Sequence, residues 1–524
     1  MNKNAESTTH ITIIATSDLH GNLIGYRYED GIETQDGLAK IQAYVQKVRQ
    51  ENPNIILIDG GDFLQGNPIC AAYTPKKNAR HPVIALMNFM HYDVATLGNH
   101  DFNYGMAAQQ RALNQAKFKI VCANILDEND ACLYTSQGYT IVERSGIKVA
   151  VIGVCTPMVQ EWDQDKDGVA QLKFLPAWEG VQRALDRIKE KVDVIFVTAH
   201  MGIYPQYDIK GGNDSGKRII DECPMINLLQ VAHLHITVDD QYKGIPVAGV
   251  KNNGQELIRY DILLDAEKKI ISTAAQIVSV EDEYPDEEVI AASFIKEAHE
   301  TAKAMYALPD ETDKGELLGF VKEDFQPQDA AYETRIAETP ITAFLNQVQI
   351  EAAGADVSAV SFPKPWLQIK AGPFYEKDLS DLCCYDNSIY LLEVSGKQLL
   401  EYMEWNSACY VTMKQGDTKV AFDKNYPEFM QDYFLGVEYE IDITAPPGNR
   451  VKHAYFKGAP LSECNRIKLA VSNFRYSTVL LPNKIIENVP LWISDKYLKE
   501  YVRNYVKEHT PLSPHLNHNW RILR

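Results

Sequence analysis

The chain has 524 residues, 45% hydrophobic and 23% charged, values of a globular protein rather than a disordered or fibrous one, and it is too long for one hydrophobic core. Its formal net charge of −19 argues against a nucleic acid polymer as ligand, because such affinity comes chiefly from basic side chains displacing counterions. A small anion held by metal ions remains compatible. The first ten residues are polar, the apolar run from Ile11 to Ala15 is too short for a secretory core, and no membrane-spanning apolar run occurs. Nine cysteines show no disulfide spacing. These features predict a cytoplasmic protein with no membrane association and no obligate protein partner.

From Ile11 to about Val280, short β-branched runs alternate with longer amphipathic stretches, the pattern of an α/β sheet covered by helices. The expected strands are Ile11 to Thr16, Ile55 to Ile58, Val94 to Leu97, Val149 to Val154 and Val192 to Thr198, with helices over Leu38 to Gln50 and Trp178 to Lys191. Residues 1–280 thus read as one domain. Residues 281–329 read as a linker, acidic at Glu281 to Glu288 and carrying a helix from Val289 to Met305. Residues 330–524 read as a mixed α/β domain, with a long helix over Ala331 to Gly354 and strands at Ile389 to Val394, Val437 to Ile443 and Arg466 to Val471.

Potential metal ligands recur just past expected strands of the first domain: Asp18 and His20, Asp62, Asn99 and His100, His200, and His233 with His235. Groups past the carboxyl ends of strands converge on one edge of an α/β sheet, where ligands bind. Mixed imidazole and carboxylate donors suit manganese, zinc or iron better than an all-oxygen ion. Asp62 is placed to bridge two such ions, an arrangement suited to phosphate ester hydrolysis. Singly, an Asp-x-His or His-x-His is more often a turn feature; the weight lies in five blocks in order along the chain.

At Ser17-Asp-Leu-His, Gly60-Gly-Asp, Gly98-Asn-His-Asp, His200 and His233-Leu-His the sequence resembles the calcineurin-like metallophosphoesterases. The resemblance implies a four-layer α/β/β/α first domain with two divalent metal ions. One ion would take Asp18, His20, Asp62 and His235; the other would take Asp62, Asn99, His200 and His233. His100 would assist the transferring phosphoryl group, with Asn103 as its partner. Ala232 stands where the family usually has glycine.

Over nearly the whole chain the sequence is similar to the 5′-nucleotidase branch, whose C-terminal domain binds substrate. Gly98-Asn-His-Asp-Phe-Asn-Tyr-Gly and Gly354-Ala-Asp-Val-Ser look closest to the 2′,3′-cyclic-nucleotide 2′-phosphodiesterases. The implied substrate is a small nucleotide, cyclic or 3′-phosphorylated. A 5′-nucleotidase or UDP-sugar hydrolase is the nearest alternative, and a non-catalytic nucleotide-binding protein a remote one. The resemblance assigns Tyr410 and Phe474 to stacking on the base, and Gly436 and Asn473 to contacts near it. Two departures bear on the substrate. Ser361 to Trp366 replaces a segment that carries an arginine in 5′-nucleotidases, and Tyr476 to Leu481 replaces a glycine-rich loop. Cys383 and Cys384 read as buried thiols.

Overall fold

The computed structural model describes residues 8–523, apart from 29–30, 165, 189–190, 207–211, 308–315, 326–329, 384, 386, 424–425 and 427. The chain forms two compact units, Met1–Leu308 and Pro309–Arg524.

In the first unit the period-2 alternation of a strand decides which layer each side chain joins. Along Thr9–Thr16, Ile11, Ile13 and Ala15 enter an apolar layer with Ile56, Ile58, Val151, Phe196 and Leu228, whereas Ile14 points the other way, to Leu38, Ile41 and Val45. The first layer is filled by two six-stranded sheets facing each other. One runs Ile270–Ser279, Glu256–Leu264, Thr9–Thr16, Ile56–Asp59, Val94–Ala95, Lys119–Ile120. The other runs Val238–Tyr242, Ile245–Gly249, Leu228–Val231, Val194–His200, Ile147–Cys155, Tyr139–Arg144.

Helices Leu38–Glu51 and Pro82–Phe89 cover the first sheet from outside, and Ala177–Arg187 and Gly216–Glu222 cover the second. The result is the four-layer α/β/β/α arrangement. The ligand-bearing strands pair in parallel within each sheet, Thr9–Thr16 with Ile56–Asp59 and Val194–His200 with Leu228–Val231. Their carboxyl ends therefore share an edge.

Helix expectations change at three places. The long helix expected over Ala331 to Gly354 is two, Ala330–Ile336 and Pro340–Ala353. Pro340 lacks an N–H and pushes Thr339 into extended backbone, and Thr339 instead donates its N–H to Thr342 Oγ1 at 3.1 Å. The helix expected over Trp178 to Lys191 spans Ala177–Arg187. The helical stretch expected within the linker is Glu287–Ala291 followed by Ser293–Ala307; Ile295, Ala298 and Ala302 are fully buried in the first unit's core.

The second unit has a five-stranded sheet, Asp432–Leu435, Val357–Ser361, Arg466–Ser472, Ser388–Ser395, Trp492–Tyr497, and a four-stranded one, Ala459–Pro460, Val451–Phe456, Val437–Asp442, Trp520–Leu523. Gly436 joins them. Its φ is 92°, and a Cβ there would lie 2.2 Å from the Asp356 carbonyl oxygen, so the turn itself requires glycine. Among the described residues no helix is long and apolar enough to cross a membrane.

Phe196 fills the layer between the facing sheets at 0% exposure. Phe196→Ala is expected to cost about 3 to 5 kcal/mol, seen in calorimetry as a lowered transition of the first unit while the second unit's transition stays in place.

Candidate metal centre

The structure brings the strand-end residues together. Asp18, His20, Asp62 and His235 form one group able to hold a metal ion, and Asp62, His200 and His233 form a second, with the donor atoms of each group within 4.8 Å of one another. Asp62 belongs to both. His200 Nε2 lies 3.0 Å from Asp62 Oδ2, His235 Nε2 lies 3.4 Å from Asp18 Oδ1, and the Nε2 atoms of His20 and His235 are 3.0 Å apart.

Asp18, His20, Asp62, His233 and His235 all adopt positive φ, between 46° and 73°. For a residue with a Cβ this conformation costs about 1 to 2 kcal/mol, and such strain concentrates at functional sites. Every backbone turn here is bent so that its side chain faces the common centre.

Three observations test whether these residues fit metal ions. Asp62 Oδ2, Asn99 Oδ1 and His200 Nε2 are buried and make no hydrogen bond; Asp62 Oδ2 and His200 Nε2 are close enough for one but not aligned for it. The Asp62 and His200 atoms lie within the cluster, as ligand atoms would. The outward ring nitrogens are anchored: His20 Nδ1 donates to the Gln65 carbonyl at 2.9 Å and His200 Nδ1 to the Gly60 carbonyl at 2.7 Å. That bonding fixes the tautomer that leaves Nε2 for a cation. His233 is held from its Nε2 by Gln206 Oε1 at 3.0 Å, which leaves Nδ1 for the centre.

Electrostatics agree. Burial, then the His235 ring, lowers His20 to about 4, and burial, then His200, lowers His233 to about 3, so both rings are neutral at neutral pH. Burial also pulls on His200, but the Asp62 and Asp18 carboxylates outweigh it and raise this ring to about 10. Burial opposes ionisation of Asp18, yet the neighbouring His200 and His235 hold it down at about 2. The centre attracts positive charge, and a divalent ion meets that demand better than a proton on one ring.

Asp101, beyond the residues singled out by sequence, positions the loop. It accepts backbone N–H groups from Asp62 (2.9 Å), Phe63 (3.0 Å), Leu64 (2.9 Å) and Gly98 (2.8 Å), clamping the Gly-Gly-Asp turn to the Gly-Asn-His turn. Burial, then Asp62, pushes its carboxyl up to about 6. His100 sits on the turn Asn99–Phe102, and its Nδ1 meets Asn103 Oδ1 at 2.8 Å.

The second unit gives the residues expected near a base different surroundings. Phe474 is half-buried, and the ring beside it is Phe429, at 6.2 Å between centroids and 68° between planes. Tyr410 is 3% exposed. Its ring packs near Phe422, and its hydroxyl donates to the Arg335 carbonyl at 2.8 Å, so in this conformation it lies in the core instead of opening a face for stacking. Asn473 is fully buried with neither side-chain polar atom hydrogen-bonded. The segment replacing the glycine-rich loop, Tyr476–Leu480, is one π-helical turn with Val479 and Leu480 fully buried; its apolar side chains occupy the core. Cys383 is buried, and Cys384 lies outside the described residues.

Asp101→Ala would leave four buried backbone donors unsatisfied. The expected cost is at least about 3 kcal/mol, read as a lowered first-unit transition together with loss of bound metal in elemental analysis.

Residues 11–236 match the calcineurin-like phosphoesterase family and residues 318–478 the 5′-nucleotidase C-terminal domain. The chain is 24% identical to a 2′,3′-cyclic-nucleotide 2′-phosphodiesterase/3′-nucleotidase of Haemophilus influenzae, over 99% of this chain and 88% of that protein. It is 26% identical to the trifunctional nucleotide phosphoesterase YfkN of Bacillus subtilis over 99% of its own length, but spans only 39% of that protein. A crystal structure of a Staphylococcus aureus protein, provisionally described as a 5′-nucleotidase, superposes with a TM-score of 0.57 at 21% identity, covering 98% of this chain and 100% of that one. The chain belongs to the metal-dependent calcineurin-like phosphoesterases that carry a 5′-nucleotidase C-terminal domain.

Proposed function

We propose that the chain hydrolyses phosphate esters of small nucleotides, acting on 2′,3′-cyclic nucleotides and 3′-nucleotides with two divalent ions. The observation that carries this reading is the pair of overlapping ligand groups that share Asp62. One ion would be held by Asp18, His20, Asp62 and His235, the other by Asp62, Asn99, His200 and His233, and the imidazole-rich donor set favours manganese, zinc or iron. Bound there, such ions supply Lewis acidity toward phosphoryl oxygens and lower the pKa of an attacking water.

The chain's own groups do the rest. Asn99, buried with its Oδ1 free of hydrogen bonds, and His100, on the same turn, flank the phosphate. His100 passes a proton to the departing sugar oxygen. A neutral amide at Asn103 supports an imidazolium less than a carboxylate does, which suits a ring that exchanges its proton readily.

The resemblance to relatives named for cyclic phosphodiesterase and 3′-nucleotidase activity supports the substrate class. For the base, Phe474 is the stacking surface with Phe429 as neighbouring ring; the resemblance assigns Asn473 and Gly436 to positions near it, Asn473 with a buried, unsatisfied amide and Gly436 at a turn that itself requires glycine. Stacking alone, at about 1 to 3 kcal/mol per base, tolerates several bases. Tyr410 takes part only if its ring leaves the packing seen here. A cytoplasmic site of action is supported by the described cysteines, which are free thiols, all buried except Cys464.

Chelated protein resupplied with manganese is expected to turn over 2′,3′-cyclic AMP and 3′-AMP in preference to 5′-AMP and UDP-glucose, and the metal-free protein to be inactive. Activity confined to 5′-AMP or UDP-glucose would overturn the substrate assignment while keeping the metal chemistry. Asp62→Ala is expected to abolish turnover, and full activity in that variant would refute the metal assignment. His100→Ala is expected to lower kcat by about 100-fold to 10,000-fold, the usual range for loss of a general acid.

A further inference from the structure

The amide of Asn103 has two faces, and both are engaged. Oδ1 meets His100 Nδ1 at 2.8 Å, while Nδ2 donates to both carboxylate oxygens of Asp163, at 3.0 and 3.1 Å. Asp163 is 4% exposed. It follows the short helix Val159–Trp162, and its own N–H donates to the Val159 carbonyl at 3.0 Å. The segment is tied down at two further points, one of them in the centre. Trp162 stacks on the His233 ring, 6.0 Å between centroids and 17° between planes, and the Asp167 carbonyl accepts the Met106 N–H at 2.7 Å.

An amide can present either its oxygen or its nitrogen to a neighbour, and nothing in Asn103 itself selects which. A carboxylate only accepts. Asp163 therefore takes Nδ2, Oδ1 is left facing His100, and His100 Nδ1 must carry a hydrogen. Nε2 becomes the nitrogen through which a proton is exchanged. Without Asp163 the amide is free to turn, Nδ2 can face the ring, and the other tautomer becomes competitive.

We propose that Asp163 is a positioning residue for catalysis, which fixes the Asn103 amide and thereby holds His100 in its Nδ1–H form, with a negative charge one amide removed from the imidazolium. This rests on the reading of His100 as proton donor to the departing oxygen. It places in a sixty-residue-distant segment the carboxylate that Asn103 does not supply.

The test uses full-length, manganese-loaded protein and 2′,3′-cyclic AMP. Asp163→Ala is expected to lower kcat about 10-fold to 100-fold, the usual range for residues that orient a catalytic group from behind, with KM and bound metal unchanged. Asn103→Asp in the Asp163→Ala background is expected to recover most of kcat, because a carboxylate at position 103 accepts the Nδ1 hydrogen whichever way it is turned. A purely structural defect at position 163 would not be rescued that way. Nitrogen-15 spectra of labelled histidine in the metal-free protein give a readout apart from turnover: His100 should be Nδ1–H in the wild type and a tautomer mixture in Asp163→Ala.

Wild-type kcat and an unchanged His100 spectrum in Asp163→Ala would overturn the proposal, as would loss of bound metal or absence of rescue in the double variant. His100→Ala assayed alongside keeps the two readings apart: if it retains wild-type turnover, the reading of His100 falls; if it is inactive while Asp163→Ala is normal, only the role of Asp163 falls.

Discussion

The structure of the first unit turns on where Asp62 is held. Its carboxylate is fully buried, a placement that costs several kcal/mol unless opposite charge compensates it. Compensation comes from His200 Nε2 at 3.0 Å on one oxygen and the His100 backbone N–H at 2.8 Å on the other. Asp101 holds the loop that carries it, and the left-handed turn at Asp62 aims it at the edge shared by the two sheets. The four layers make that edge stiff: strands buried on both faces leave the turns little freedom, so strained backbone at five candidate ligand positions can persist. A centre built this way is preorganised, and the free energy that binds a cation also stabilises the fold around it.

Much of this arrangement could be read from the sequence because its logic is local. A β-branched run followed within a few residues by Asp or His marks a strand end, and parallel strand ends must meet; Asp18, His20, Asp62 and His200 follow from that rule. The alternation of Ile11, Ile13 and Ala15 against Ile14 likewise states that the first strand is buried on both faces. The bend between Ile336 and Pro340 was open to the same reasoning, since proline fixes the residue before it.

Other features were not legible because they depend on tertiary partners. Nothing around Asp163 or Gln206 marks them as supports for His100 or His233; they matter because short segments fold back against the site. Asp101 stands in a recognisable run, yet its task of gathering four N–H groups emerges only when two turns come together. The helix Ser293–Ala307 has an apolar face that periodicity detects, but periodicity does not say which core that face joins. In the second unit Tyr410 follows a helix and Phe474 a strand, both are aromatic, and burial separates the pinned ring from the half-buried one. Phe429 was missed for the same reason.

If Asp62 joins two metal ions, their magnetic moments are coupled through its carboxylate. The most direct test is electron paramagnetic resonance of metal-free protein titrated with manganese. Two ions bridged by Asp62 should give an exchange-coupled multiline spectrum that grows to completion at two equivalents per chain. A spectrum of isolated, uncoupled manganese at that stoichiometry, or saturation at one equivalent, would contradict the account.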